Sequence, residues 1–166
     1  MILSLRIDER LIHGQIAMSW SKTLNLQGIV VANDDASSDE LQKMSLKMAA
    51  PSGVKAIVLS IKDAAGLLNN PRSANMRLMV ITTTIADALS LIDKVNGNIE
   101  QVNIGNAGKM HPTGKEITLT KEVRLIPDEI DNLKKLVDLF PNTYFQGTPN
   151  MEKHMGKDLL KNLNNK

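Results

Sequence analysis

Short apolar runs rich in β-branched residues recur along this chain of 166 residues, and stretches with helical periodicity separate them. Such runs indicate buried strands, whereas apolar residues that repeat every three to four positions indicate amphipathic helices. Strands that alternate with helices join through right-handed crossovers, which make the strands parallel and place helices on both faces. We therefore predict an α/β fold: a three-layer, doubly wound, mainly parallel sheet in a single domain over residues 1–166.

The predicted elements follow one another along the whole chain. Strands are predicted at residues 2–7, 28–32, 55–60, 77–82 and 99–104, and helices at residues 13–25, 39–50 and 85–95. The later part has a different rhythm, with strand pieces at 116–119, 122–126 and 143–146 and helices at 127–140 and 151–163.

The helix predicted at 39–50 has two informative features. Ser37 and Glu40 have the spacing of a capping box, which marks a helix start. The apolar stripe of this helix consists of Leu41, Met44, Met48 and Ala49. We interpret this methionine-rich face as core packing.

The composition excludes several classes of function. The 20 basic and 18 acidic residues leave a net charge of +2, and only four residues are aromatic, which argues against a nucleic-acid partner. Cysteine is absent, so disulfides and thiolate chemistry are excluded. The sequence lacks both a basic, apolar leader and an apolar stretch long enough to cross a bilayer. We therefore expect a cytoplasmic protein.

The segment from Arg6 to Gln15 is the first candidate site, because ligands gather at the carboxyl ends of parallel strands. Within it, the imidazole of His13 is a competent nucleophile near neutral pH. Arg10 can bind two oxygens of a phosphoryl group at once, and the N–H groups of the following helix can bind the rest. Gly14 has no Cβ to hinder a donor, and Asp8 can hold Arg10. The structural alternative is a solvated loop with a capping or surface histidine.

Residues 103–115 form the second candidate site, and the part from Gly105 to Lys115 is the longest irregular stretch. A phosphate-binding P-loop needs Gly, four residues, and then Gly-Lys-Ser/Thr. Here Lys109 stands where the first Gly is required, and Glu116 stands where the hydroxyl belongs. We expect this loop either to line the site, to contact a partner, or to be a plain turn, and not to bind ATP.

A third site could form where Asn33, Asp34 and Asp35 follow one strand and residues 82–84 follow another. Paired acids suggest magnesium, but Asp35 and Asp39 are more simply explained as turn and helix-start residues. The three histidines lack the spacing of zinc ligands. We therefore predict no metal and no cofactor.

The sequence Arg6-Ile-Asp-Glu-Arg-Leu-Ile-His13-Gly-Gln closely resembles the phosphorylation-site signature of a known family. The family comprises the IIB subunits of the mannose/fructose/sorbose type in the phosphoenolpyruvate-dependent sugar phosphotransferase system. The similarity extends over nearly the whole chain, through residues 30–34, the Gly105 loop with Lys115, and Gln146 with Gly147.

This resemblance implies a transferase and a mainly parallel sheet flanked by helices. It implies that His13 accepts a phosphoryl group through Nδ1 from a phosphohistidine of the IIA partner. The group then passes to a sugar entering through the membrane subunits IIC and IID, such as mannose, fructose, sorbose or N-acetylgalactosamine. Arg10 and the backbone of residues 13–15, including Gly14 and Gln15, would cradle the phosphoryl group, with Arg6 and Asp8 as supports.

The same resemblance implies peripheral association with the inner face of the cell membrane through the partner subunits. It is also compatible with a homodimer. Two other classes remain open from the residues alone. One is a non-catalytic regulatory or ligand-binding α/β module in which His13 is structural, and the other is a metal-dependent hydrolase.

Overall fold

The computed structural model describes residues 1–165, apart from the side chains of Gln15 and Ile16. The strands described are β1 Ile2–Ile7, β2 Gly28–Ala32, β3 Lys55–Leu59, β4 Leu78–Thr82, β5 Val102–Ile104, β6 Ile117–Thr118, β7 Arg124–Leu125, β8 Tyr144–Phe145 and β9 His154–Met155. The helices are α1 Gly14–Leu24, α2 Asp34–Ser37, α3 Glu40–Met48, α4 Ile61–Leu68, α5 Ile85–Ile92, α6 Pro127–Leu139 and α7 Gly156–Asn164, with a 3₁₀ turn at Pro71–Asn75.

The main sheet has the strand order β3-β2-β4-β1-β5-β8-β9. Its neighbours pair in parallel except β8 and β9, which are antiparallel. β6 and β7 form a separate antiparallel pair. The predicted α/β fold with a mainly parallel sheet is confirmed, and β1 lies near its middle.

Helices cover both faces of the sheet, as predicted. The larger apolar cluster joins one face to α4, α5, α6 and α7. The second cluster joins the other face to α1, α2 and α3, with the indole of Trp20 among its buried side chains. β2 and β4 are buried on both faces, which is why their sequences are nearly continuous apolar runs and do not alternate.

Several predicted boundaries are wrong for local reasons. The run at 99–104 forms a strand only from Val102, and Ile99 contributes a single bridge to Ile2. In the segment 151–163 the helix starts only at Gly156, because β9 at His154–Met155 precedes it. Helix α4 was not predicted, although Ser60 caps it by accepting from Asp63 N at 3.1 Å.

The start of α3 is also corrected. Asp39 is its cap, and its Oδ1 accepts from the N–H groups of Leu41 and Gln42 at 3.1 Å. Ser37 cannot cap α3 because it belongs to α2, which ends there.

The methionine-rich face of α3 is not core, which contradicts the prediction. Leu41, Met44 and Met48 are 75%, 60% and 79% exposed, whereas Leu46 is buried. The reason is position: α3 packs beside β3, the last strand of the sheet, so only a narrow strip of the helix is covered.

Candidate functional site

The loop between β1 and α1 stands at the carboxyl end of a central strand. β4 and β5 flank β1, so the loops that follow these strands surround it. Leu11 and Ile12 are buried and anchor the loop in the core. Leu11 has a φ of 60°, which is a strained conformation for a bulky residue. The segment predicted from the sequence therefore lies at the ligand-binding edge of the sheet.

Arg6 is buried at the base of this loop. Its guanidinium donates to Asp8 Oδ2 at 3.1 Å and to Asn103 Oδ1 at 2.6 Å. It also donates to the backbone carbonyls of Gln146 and Gly147, both at 3.1 Å. Burial lowers the pKa of Arg6, and the Asp8 carboxylate opposes that shift. Because Arg6 is only 2% exposed, it supports the site and has no direct access to a ligand.

Asp8 is fully buried and joins two arginines. Arg6 approaches one carboxylate oxygen, while Arg10 donates through Nε to Oδ1 at 3.2 Å and through an amino nitrogen to Oδ2 at 3.3 Å. The backbone N–H of Arg10 also donates to Oδ1, at 3.1 Å. Arg10 is 36% exposed, so its guanidinium is held at the surface with N–H groups left over for an anion.

His13 is half-buried at the cap position of α1. Its Nδ1 lies 2.9 Å from Leu11 O. Because a carbonyl only accepts, Nδ1 carries the proton in this conformation. Nε2 is buried and has no hydrogen-bond partner among the described residues. The side chain makes no capping bond, so the first N–H groups of α1 can bind an anion.

Gly14 and Gln15 follow His13 at the start of α1. Gly14 has a φ of 37°, and a Cβ there would meet no atom within 4 Å. The space next to His13 is therefore open at this residue. The side chain of Gln15, also predicted to support a phosphoryl group, lies outside the part of the chain that the structure describes.

The sequence argument missed Glu9 and Trp20. The Glu9 carboxylate accepts from Asn106 Nδ2 at 2.6 Å and from backbone N–H groups beyond it. Trp20 Nε1 donates to Gly147 O at 2.7 Å and ties α1 to the segment after β8. Their partners are 97 to 127 positions away along the chain, so no local pattern could reveal them.

The second candidate loop packs directly against the first. A Cβ at Gly105 would overlap the Arg6 guanidinium and the Asp8 carboxylate, so only glycine fits there. Lys109 Nζ donates to Lys121 O at 3.2 Å. A hydrogen bond from the backbone N–H of Thr113 is the main cause that lowers the pKa of Glu116 to about 2. A strand follows this loop, not a helix, which agrees with the rejection of a P-loop.

Of the third candidate site, which consists of Asn33, Asp34, Asp35 and residues 82–84, the structure brings only some residues together. Asn33 Nδ2 donates to Thr83 Oγ1 at 3.1 Å, and both residues line a cavity of about 470 Å³. Leu11 and His111 line the same cavity. Asp34 instead accepts from Ile61 N at 2.9 Å and fixes the start of α4.

Among residues 1–165, no three side chains of His, Cys, Asp or Glu group closely enough to hold a metal ion. No helix in the same range combines the length and the apolar character needed to cross a bilayer.

Comparisons with known proteins agree on one family. Residues 2–165 match the family described as the sorbose subfamily IIB component of the PTS system. A probable phosphotransferase enzyme IIB component of Streptococcus pyogenes is 40% identical over 142 residues, which is 84% of this chain and 86% of that protein. The mannose-specific EIIAB component of Escherichia coli is 33% identical over 79% of this chain and 39% of that protein.

A solved structure shows the same relationship. The IIBSor domain of the sorbose permease from Klebsiella pneumoniae superposes with a TM-score of 0.87 at 31% identity, covering 99% of this chain and 98% of that domain. This chain therefore belongs to the sorbose subfamily of IIB components, the phosphocarrier subunits of sugar uptake in the phosphotransferase system.

Proposed function

We propose that His13 is the residue that carries the phosphoryl group. The observation that supports this most directly is its position, at the cap of α1 beside open space over Gly14. The loop beneath it holds Arg10 at the surface by the buried Asp8. Phosphoryl transfer depends mainly on positioning and on fixed positive charge, and these residues provide both.

The transfer exchanges one nitrogen–phosphorus bond for another. The lone pair of His13 Nδ1 bonds to phosphorus as the bond to the donor imidazole breaks. In the second step a sugar hydroxyl attacks phosphorus, His13 leaves, and the hydroxyl proton passes to the ring or to solvent. Because Nδ1 donates to Leu11 O at 2.9 Å, the ring must give up that proton and turn from the carbonyl before it attacks.

Arg10 and the N–H groups at the start of α1, from Gly14 and Gln15 onward, bind the phosphoryl oxygens. Arg10 keeps free N–H groups while two others bind Asp8, so it can bind an anion without leaving its support. Arg6 and Asp8 act beneath the site, where Arg6 compensates the buried Asp8 charge.

The donor is a phosphohistidine of a IIA protein or domain. The EIIAB relative joins A and B components in one chain by its name, which supports direct contact between the two. The acceptor is a sugar of the mannose, fructose, sorbose or N-acetylgalactosamine type, held by membrane subunits IIC and IID. The protein thus works in the cytoplasm at the inner face of the membrane. The resemblance is also compatible with a homodimer, and light scattering tests this by measuring the mass of the protein in solution.

The proposal is tested by replacing each of the three histidines in turn. The protein is incubated with phosphoenolpyruvate, the general phosphotransferase components and a matching IIA, and the acid-labile phosphoryl adduct is measured. His13→Ala should abolish the adduct, whereas His111→Ala and His154→Ala, at the remaining two histidines, should retain it. A stoichiometric adduct on His13→Ala would refute the assignment.

A further inference from the structure

The Glu9 carboxylate is surrounded by donors from the loop that follows β5. Oε1 accepts from Asn106 Nδ2 at 2.6 Å, from Lys109 N at 3.0 Å and from Met110 N at 3.1 Å. Oε2 accepts from Gly108 N at 3.0 Å. Hydrogen bonds to an ionised acceptor are roughly twice as strong as neutral ones. This carboxylate therefore determines where the loop lies.

The consecutive N–H groups of Gly108, Lys109 and Met110 form an anion-binding nest. The turn that directs these N–H groups toward the Glu9 carboxylate needs glycine at position 108. Gly108 has a φ of 75°, and a Cβ there would overlap the carbonyl of Arg124. Glu9 fills this nest from within the chain. Its own N–H also donates to Asn106 O at 2.9 Å, so the two loops are joined by backbone and side chain together.

This junction includes the start of the loop between β1 and α1, residues 8–13, which carries His13 and is called the His13 loop. Glu9 precedes Arg10 directly, and Leu11 and Met110 line one cavity. Met110 is 53% exposed at the end of the nest, and Met18, five residues after His13, is 48% exposed. Methionine is enriched in protein–protein interfaces relative to the rest of the protein surface. The nest thus fixes the position of an apolar contact residue.

We propose that Glu9 is a positioning residue that holds the loop of Gly108, Lys109 and Met110 as a docking wall for the phosphorylated IIA protein. This inference rests on the proposed function. Glu9 does not touch the reacting atoms, and the nest N–H groups are occupied by it. Its removal therefore weakens docking of the donor and leaves the chemical step at His13 intact.

Steady-state phosphorylation of His13 over a range of phosphorylated IIA concentrations tests the proposal. Glu9→Gln removes the charge and one acceptor oxygen, and we expect the KM for the donor to rise about tenfold. The kcat should change by less than about twofold, because docking and chemistry are separate. Glu100→Gln, an exposed glutamate before β5, makes the same change at the other end of the strands and should leave both constants unchanged.

Amide hydrogen exchange gives a readout independent of phosphorylation. In Glu9→Gln the amides of Gly108, Lys109 and Met110 should exchange faster than in the wild type, while the exchange of the amides of β1 should not change. Asn106→Ala removes only the shortest of the four hydrogen bonds to the Glu9 carboxylate, so it should raise the KM by a smaller factor. This variant replaces Glu9→Gln in the experiment if Glu9→Gln does not fold.

Three results would overturn the inference: unchanged exchange at the nest amides, an unchanged KM, or a loss confined to kcat. If the wild-type protein accepts no phosphoryl group at all, the proposed function fails instead, and the exchange experiment still reports on the role of Glu9 in holding the loop.

Discussion

Arg10 donates to both carboxylate oxygens of Asp8, through Nε at 3.2 Å and through an amino nitrogen at 3.3 Å. The two-point contact fixes the plane of the guanidinium, which a single contact cannot do. The orientation of the Arg10 guanidinium, which lies in the His13 loop, is thereby determined by an acid that is itself fully buried.

Arg10→Lys is expected to slow phosphoryl transfer to and from His13. An ammonium is a point charge and cannot bind Asp8 and a phosphoryl group with two parallel hydrogen bonds each. We expect a rate loss of about tenfold, measured by single-turnover transfer in both directions. Arg72→Lys, on the exposed 3₁₀ turn, is the matched control. Unchanged rates in both directions would remove Arg10 from the mechanism.

Gly105→Ala is expected to destabilise the fold and to impair phosphorylation together. The added methyl group would overlap the buried pair of Arg6 and Asp8, and forced overpacking costs about 1–3 kcal/mol. Urea unfolding measures the loss. Gly66→Ala, inside α4 with no atom within 4 Å of the new Cβ, is the control and should gain about 0.5–1 kcal/mol. Equal effects would contradict the close packing at Gly105.

Asp87→Asn is expected to stabilise the protein at pH 7 relative to wild type. Burial raises the pKa of Asp87, against hydrogen bonds from Thr83 and Thr84 that lower it. An acid with a raised folded pKa is penalised above that pKa, and the penalty disappears as pH falls toward its ordinary value of 3.8. The advantage of the variant should therefore shrink between pH 7 and pH 4 in urea titrations.

Asp63→Asn is the control for Asp87→Asn. Both acids stand three residues after a hydroxyl cap, but Asp63 is exposed. The control corrects for the loss of a negative charge at a helix start, which costs about 0.3–1 kcal/mol. If Asp87→Asn is the less stable of the two at pH 7, burial of the charge is not the dominant effect.

Replacing the exposed methionines of α3 is expected to leave stability nearly unchanged. Met44→Gln and Met48→Gln lie on a surface that is more than half exposed, so we expect changes within about 0.5 kcal/mol. Leu46→Ala, on the covered side of the same helix, should cost about 2–5 kcal/mol. Urea unfolding of the three variants checks this, and a large cost at Met44 or Met48 would contradict the position of α3.

The same helix shows where sequence reasoning fails. Periodicity in residues 39–50 correctly predicts a helix with a stripe, since spacing is a local property. It does not tell whether the sheet extends beneath that stripe. α3 packs at the last strand, so the usual inference that an apolar stripe is buried is wrong there.

In the candidate site, too, contacts between residues that are close in sequence could be predicted, whereas contacts between distant residues could not. His13, Arg10 and Asp8 lie within one short segment after a predicted strand, so their proximity follows from the sequence. The contacts of Glu9 with Asn106 and of Arg6 with Asn103 each join residues 97 positions apart. Only the strand order brings these loops together, and the crossover from β4 past β1 to β5 cannot be seen in local composition.

The hydrogen bonds from Arg6 to the carbonyls of Gln146 and Gly147 span 140 and 141 residues. During synthesis from the amino end, β1 and the His13 loop emerge long before these acceptors exist. A nascent chain that has not yet released residue 147 from the ribosome leaves the Arg6 guanidinium without them, so the candidate site is completed only after that residue has emerged.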